Sequence, residues 1–88
     1  MTQIRLALPL RASVGGAKTV PIEAGTVGEL TRQIASHYPA LGKLVLDGEC
    51  FGSFVTVFID GEDVRYLAPD LDIRSARLVE ILPAMSGG

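Results

Sequence analysis

The sequence of 88 residues has few of the features that indicate export, metal binding or redox chemistry. It has a single cysteine, Cys50, so neither a disulfide nor a Cys-x-x-Cys zinc pair can form within the chain. No apolar run approaches the ~20 residues that span a bilayer, and the first residues lack the basic segment and apolar core of a signal peptide. We therefore expect a cytoplasmic protein with no membrane contact and no metal.

Basic residues are also scarce. The net charge is −2, and the first forty-four residues carry five Lys and Arg against two Asp and Glu, whereas the last forty-four carry three against eight. A nucleic-acid partner requires a clustered basic surface, so we do not expect one. The acidic second half is compatible with a partner whose docking surface is positive.

The composition that is present is typical of one small globular domain. A hydrophobic content of 48% with 20% charged residues lies far from the composition of disordered chains. A chain of this size buries somewhat over ~60% of its unfolded surface, which is enough for one core. We predict one domain over residues 1–83 and a flexible tail over residues 84–88.

The chain opens with the pattern of a β-hairpin. Residues 3–8 alternate with the period of a half-buried strand, and Pro9 ends that strand. Gly15-Gly16 lies in the turn before a second strand over residues 18–23. Pro21 has no amide hydrogen to donate, which places this second strand at a sheet edge.

One main helix is predicted after the hairpin. Thr26-Val27-Gly28-Glu29 matches the capping box that begins many helices. Leu30 and Ile34 continue an apolar stripe at three-to-four spacing. Pro39 disfavours helical geometry in the residue before it, so we expect the helix to end at Tyr38 and residues 40–53 to be irregular.

The second half predicts three strands. Residues 54–59 are rich in β-branched and aromatic side chains, and Asp60-Gly61 is a favoured hairpin turn before a return strand over residues 62–67. A last strand covers residues 77–82. Together these elements predict an α+β fold in which a mixed sheet of four to five strands is covered on one face by one main helix.

The alternation of the last strands places large apolar side chains on the face away from the helix. If Val57 and Ile81 point to the helix, then Phe58, Leu78 and Leu82 point away. A contiguous exposed apolar patch usually marks a docking surface. Single exposed hydrophobic residues are also normal. We favour a partner-docking patch of Phe58, Leu78 and Leu82.

Three other groups carry side chains that are common in metal or catalytic sites. Asp60, Glu62 and Asp63 lie close in sequence but lack the twelve-residue ligand pattern of a calcium loop, so we interpret them as a solvated turn. His37 lies in the last helical turn, with no nearby Ser, Cys or carboxylate in a recognisable spacing. Cys50 has no adjacent basic residue that would activate its thiol as a nucleophile. We therefore predict no catalytic residue and no metal ligand.

The residues with the clearest chemical potential are the last ones. Gly87 and Gly88 lack Cβ atoms and can pass through a narrow slot. A terminal carboxylate is ionised at neutral pH, so it can attack an activating phosphate. A frayed terminus is the alternative, but the strand over 77–82 keeps the glycines close to the sheet. We predict Gly88 as the reaction centre and Met85, Ser86 and Gly87 as the segment that enters a partner's active site.

These features resemble the ubiquitin-like sulfur carriers of the MoaD/ThiS type, small β-grasp proteins that end in Gly-Gly. The resemblance rests on the strand-turn-strand-helix opening, on residues 57–65 and on Val79-Glu80-Ile81-Leu82-Pro83-Ala84-Met85-Ser86-Gly87-Gly88. Leu10-Arg11, Gly15-Gly16-x-Lys18 and Glu62-Asp63-Val64-Arg65 are most similar to the CysO branch, in which the carrier delivers sulfur for cysteine synthesis.

The resemblance implies a carrier protein and co-substrate, not an enzyme. In such carriers an ATP-dependent, E1-like adenylyltransferase/sulfurtransferase adenylates the terminal glycine, and a sulfur donor then replaces AMP to give a thiocarboxylate. Transferred to this chain, the sulfur is covalently held at Gly88, no cofactor is permanently bound, and ATP is used by the partner enzyme.

The resemblance leaves the acceptor of the sulfur open. It implies a cysteine synthase-like enzyme or the large subunit of molybdopterin synthase, and the sulfur carrier for the thiamine thiazole has the same tail. A hypothesis of another class is a ubiquitin-like modifier conjugated to lysines of target proteins. A third is a plain binding module in which the two glycines have no role.

Overall fold

The alternating opening segment forms strand β1 (Thr2–Leu6), which buries Ile4 and Leu6 in the core. The computed structural model describes residues 2–84. The predicted extension of this strand to residue 8 is wrong. Leu8 begins a 3-10 helix (Leu8–Val14) and is 73% exposed, because Pro9 fits the first turn of a helix better than a strand ladder.

Strand β2 (Thr19–Ile22) pairs antiparallel with β1, after a turn in which Gly15 and Gly16 have φ angles of 69° and 87°. The prediction that β2 lies at a sheet edge is confirmed. Pro21 has no amide hydrogen, and its carbonyl oxygen accepts a hydrogen bond from the Tyr38 hydroxyl. Pro21 therefore offers little to a further strand at this edge.

Helix α1 (Val27–His37) begins where the capping residues predict. The hydroxyl of Thr26 accepts a hydrogen bond from the amide of Glu29 at 3.1 Å, and the Glu29 carboxylate accepts one from the amide of Gly25 at 3.2 Å. The second bond reaches one residue further back than in the standard capping box. The helix covers one face of the sheet with Leu30 and Ile34, which are fully buried.

The interpretation of residues 40–53 as irregular is wrong, because a second helix, α2 (Pro39–Val45), follows α1 directly. Pro39 ends α1 and occupies the first turn of α2, where a missing amide hydrogen costs nothing. A Cβ atom at Gly42 would lie 3.4 Å from the Cα of Ala35, so the two helices approach closely there. A small hairpin of β3 (Leu46–Asp47) and β4 (Cys50–Phe51) comes next.

Strand β5 (Val55–Ile59) ends in the predicted hairpin turn, and both turn residues have the positive φ that the turn requires: 48° at Asp60 and 87° at Gly61. The predicted return strand is too long. Strand β6 (Glu62–Asp63) has two residues, and a 3-10 helix (Val64–Tyr66) follows. The strand stops because the Asp63 carboxylate accepts a hydrogen bond from the amide of Arg65 and so caps that helix.

The last strand, β7 (Leu78–Pro83), occupies the middle of the sheet. The strand order is β2-β1-β7-β5-β6, with β7 parallel to β1 and antiparallel to β5. The expected mixed sheet, covered on one face by one main helix, is confirmed, and its topology is that of a β-grasp fold. The core lies between α1 and the sheet and consists of these buried residues: Ile4, Leu6, Leu10, Val20, Ile22, Val27, Leu30, Ile34, Leu41, Val45, Val55, Val57, Ile59, Ile73, Val79 and Ile81.

Across residues 2–84 no helix has the length and apolar character needed to cross a bilayer.

Candidate functional site

The strand that leads into the predicted tail is held from both sides. Val79 and Ile81 of β7 are fully buried under α1, while Leu78 and Leu82 lie on the opposite face. Beyond the strand, the amide of Ala84 donates a hydrogen bond to the carbonyl of Phe54 at 2.9 Å. Hydrogen bonding to the sheet therefore continues to Ala84, the last described residue.

The predicted reaction centre, Gly88, lies outside the described residues, as do Met85, Ser86 and Gly87. The structure describes the chain up to Ala84, the residue before them. Because β7 is central and hydrogen bonding to the sheet continues to Ala84, the chain is fixed to the sheet up to that residue.

The beginning of β7 is fixed by Asp60. Its carboxylate accepts hydrogen bonds from the amides of Arg77 at 3.0 Å and Leu78 at 2.9 Å. The turn between β5 and β6 thus holds the last strand in register. Within residues 2–84, Asp60, Glu62 and Asp63 are not part of any group suited to a metal ion.

The predicted docking residues share the face that α1 leaves uncovered. Phe58 and Leu78 are half-buried there, and Leu82 is 38% exposed. Thr56 is directly opposite Leu82 in the pairing of β5 with β7. The orientation expected from strand alternation is therefore correct for these side chains.

The same face also carries an ion pair that the sequence did not predict. Arg5 of β1 is in register with Glu80 of β7, and the Arg5 guanidinium donates a hydrogen bond to the Glu80 carboxylate. Glu80 separates Leu78 from Leu82 along the strand and is opposite Phe58 in β5. The apolar surface is therefore divided by a charged pair. Only the register between β1 and β7 could have revealed it.

A second carboxylate borders Phe58 on the other side. Asp63 of β6 is in register with Phe58, and its side chain is hydrogen-bonded to the Arg65 guanidinium at 2.7 Å. These side-chain hydrogen bonds, with that from the Arg65 amide, hold the pKa of Asp63 below its usual value. The same bonds raise the pKa of Arg65. The pair stays charged through the neutral range.

Phe54 is an apolar residue beside the tail that the predictions missed. It is 50% exposed and precedes β5. Its ring lies over Gly52, since a Cβ atom there would come within 2.2 Å of a ring carbon. Its carbonyl is the acceptor for Ala84, so it adjoins the start of the tail. Phe54 is the first residue of the strand predicted over residues 54–59, and that placement could have suggested its position beside the end of the last strand.

His37 and Cys50 lie apart from this face. His37 is exposed at the end of α1, in a groove with Gln33 and Tyr38. Cys50 is an exposed free thiol in β4.

A mixed sheet that is covered on one face by one main helix and has the last strand at its centre defines a ubiquitin-like β-grasp protein. A family model described as the ThiS family matches residues 4–88. The chain belongs to the ThiS family.

Individual relatives agree with this membership. The chain is 30% identical over 83 residues to the sulfur carrier protein CysO of Mycobacterium tuberculosis strain H37Rv, which is 90% of this chain and 89% of that one. The CysO of Mycobacterium bovis matches to the same extent.

Solved structures show the same fold. A chain of the crystal structure of the Amycolatopsis orientalis BexX/CysO complex is similar with a TM-score of 0.82 and 26% identity, over 100% of both chains. Mycobacterium tuberculosis CysO gives 0.75 and 26% over 97% of this chain and 100% of that one. Haloferax volcanii SAMP1 shares only the fold, with a TM-score of 0.72 and 22% identity over 99% and 98%.

Proposed function

We propose that this protein is a sulfur carrier whose terminal residue, Gly88, is adenylated by an E1-like enzyme and converted to a thiocarboxylate. The observation that carries the proposal is the match to the ThiS family over residues 4–88, which includes the Gly-Gly pair. The 30% identity to proteins named sulfur carrier protein CysO supports it. In the proposed role the chain is a carrier and co-substrate in the cytoplasm.

The proposed chemistry consists of two displacements. The Gly88 carboxylate attacks the α-phosphorus of ATP and pyrophosphate leaves, which gives an acyl adenylate. A sulfide-level donor then attacks the carbonyl carbon and AMP leaves with the original oxygen. One terminal oxygen has been replaced by sulfur, and no electron has been transferred. The partner supplies ATP binding and catalysis, so this chain needs only a C-terminus without bulky side chains and a docking surface.

The docking surface must lie near the tail. Residues 85–88 can extend at most roughly 14 Å from Ala84, at 3.3–3.6 Å per residue. A partner that takes Gly88 into its active site therefore lies against the nearby part of the domain. The uncovered face with Phe58, Leu78 and Leu82 is formed by β7, which leads to Ala84, and by its neighbour β5, and we propose it as the contact for the activating enzyme.

Replacing Leu82 or Phe58 by alanine is expected to weaken binding to the activating enzyme more than it destabilises the fold. Each side chain is only partly buried, so truncation removes modest core packing but a central part of the proposed contact. We expect a loss of affinity of about tenfold or more, measured by isothermal titration with the E1-like enzyme. Leu44→Ala, at an exposed position on α2, is the control. Unchanged affinity in both variants would exclude the patch.

The carrier hypothesis is tested by the intact mass of the protein from sulfur-replete cells. Sulfur in place of one terminal oxygen is the expected mass change. Conjugates of higher mass with no thiocarboxylate would instead support the ubiquitin-like modifier.

The acceptor proposed for the sulfur is a cysteine synthase-like enzyme. The supporting observation is the identity to CysO, and the large subunit of molybdopterin synthase is the alternative. Co-purification with one enzyme or the other distinguishes these pathways.

A further inference from the structure

Glu80 lies among the three residues of the proposed docking face, and its ion-pair partner Arg5 lies beside it on β1. Glu80 is flanked along β7 by Leu78 and Leu82 and across the sheet by Arg5 and Phe58. A partner that covers the three apolar side chains therefore also covers Glu80 and lies against Arg5. The groups that the partner places against Arg5 and Glu80 therefore decide whether binding to this face is favourable.

The two members of the pair differ in accessibility. The Arg5 side chain is 54% exposed and the Glu80 side chain 27%. Within residues 2–84, Arg5 donates one side-chain hydrogen bond, from Nη2 to Glu80. A guanidinium carries five N–H donors, so most of those of Arg5 depend on water while the face is open. The more accessible charge of the pair is therefore the positive one.

Covering these donors without an acceptor would be costly, since a buried hydrogen-bond donor without a partner destabilises an interface. The planar fork of a guanidinium matches a carboxylate, which can accept two parallel hydrogen bonds. We propose that Arg5 selects an acidic docking surface: the activating enzyme presents a carboxylate to the free edge of the Arg5 guanidinium. This inference rests on the proposed function.

The exposed positive charge of Arg5 is opposite in sign to the net charge of the second half of the chain. The acidic second half is compatible with a positive docking surface on the partner. Exposed charges more than about 10 Å apart are largely screened at 0.1 M salt, so the groups in direct contact decide the chemistry of the interface. In this ion pair the Arg5 side chain is more exposed to solvent than the Glu80 side chain.

Three variants test the proposal through their affinity for the purified E1-like adenylyltransferase of the same organism. Arg5→Met keeps the apolar stem and removes the charge, and we expect binding about tenfold weaker or worse. Arg5→Lys keeps the charge but loses the fork, and should recover only part of the affinity. Glu80→Gln should bind as well as the native chain or better, because it removes a carboxylate that repels the one on the enzyme.

The direction of the Glu80→Gln effect separates this proposal from its competitors. A loss of affinity in Glu80→Gln with none in Arg5→Met would mean that the enzyme presents a base to Glu80, and would overturn the proposal. Similar losses in both variants would mean that the pair acts only within this chain, which also overturns it. Thermal unfolding of each variant confirms that the fold is intact.

A separate measurement distinguishes failure of the proposed function from failure of the role proposed for Arg5. If the enzyme does not adenylate the native chain, as measured by ATP–pyrophosphate exchange, both proposals are wrong. If the native chain is adenylated and Arg5→Met binds equally well, only the role of Arg5 is wrong.

Discussion

Deletion of Gly88 is expected to abolish thiocarboxylate formation while the free energy of unfolding changes by less than about 0.5 kcal/mol. The deletion leaves Ser86-Gly87 as the terminus, so the carboxylate is withdrawn by one residue, at most roughly 3.6 Å, from where the enzyme activates it. Reactions that depend on close positioning lose rate steeply when a reacting atom is displaced by even ~1 Å. Intact mass after incubation with enzyme, ATP and sulfide measures conversion, and thermal unfolding measures stability.

A matched control adds one phenylalanine after Gly88. This variant keeps Gly87 and Gly88 and lengthens the chain by one residue, so a bulky side chain stands where the proposed partner admits a slim segment. We expect no conversion of this variant either. Leu44→Ala, at an exposed position on α2, changes neither the length nor the glycines and should be converted normally. If the deleted or the extended chain acquired sulfur at the native rate, Gly88 would not be the reaction centre and the carrier proposal would fail.

Local signals in the sequence were sufficient where a short segment determines its own structure. The predicted turn at Asp60-Gly61 is confirmed, because these two residues tolerate positive φ. The predicted start of α1 is confirmed, because Thr26 and Glu29 each accept a hydrogen bond from an amide at the helix start. Pro39 shows the limit of such signals. The same residue ends one helix and begins another, and the second is favoured by nonlocal packing, of Gly42 against Ala35 and of Leu41 and Val45 in the core.

The candidate site was predictable only in part. Alternation along β5 and β7 placed Phe58 and Leu82 on the uncovered face. The charged pair inside that face was not predictable, because Arg5 and Glu80 are far apart in sequence and meet through parallel pairing of the first and last strands. A shift of that register by one residue would place Arg5 beside a core residue. Nonlocal register, not composition, therefore determines the chemistry of the face.

Ile81→Ala is expected to destabilise the fold by about 2–5 kcal/mol, the usual cost of truncating a fully buried isoleucine. Ile81 is fully buried at the centre of β7, in register with Leu6 of β1 and Val57 of β5. The cavity left there adjoins both neighbouring strands and α1. Domains of this kind have only about 5–15 kcal/mol of stability in total, so a large part would be lost. Urea unfolding followed by circular dichroism measures the change.

The neighbouring residue provides the matched comparison. Leu82 is one position along the same strand, faces the opposite side of the sheet and is 38% exposed, so Leu82→Ala should cost less than about 1 kcal/mol in folding. Binding to the activating enzyme should show the reverse order: at a temperature where both variants are folded, Ile81→Ala binds nearly normally and Leu82→Ala binds weakly. Equal stability losses at the two positions would contradict the assignment of core and docking faces on β7. Two adjacent residues thus test separately the core that holds the strand in place and the proposed contact with a partner.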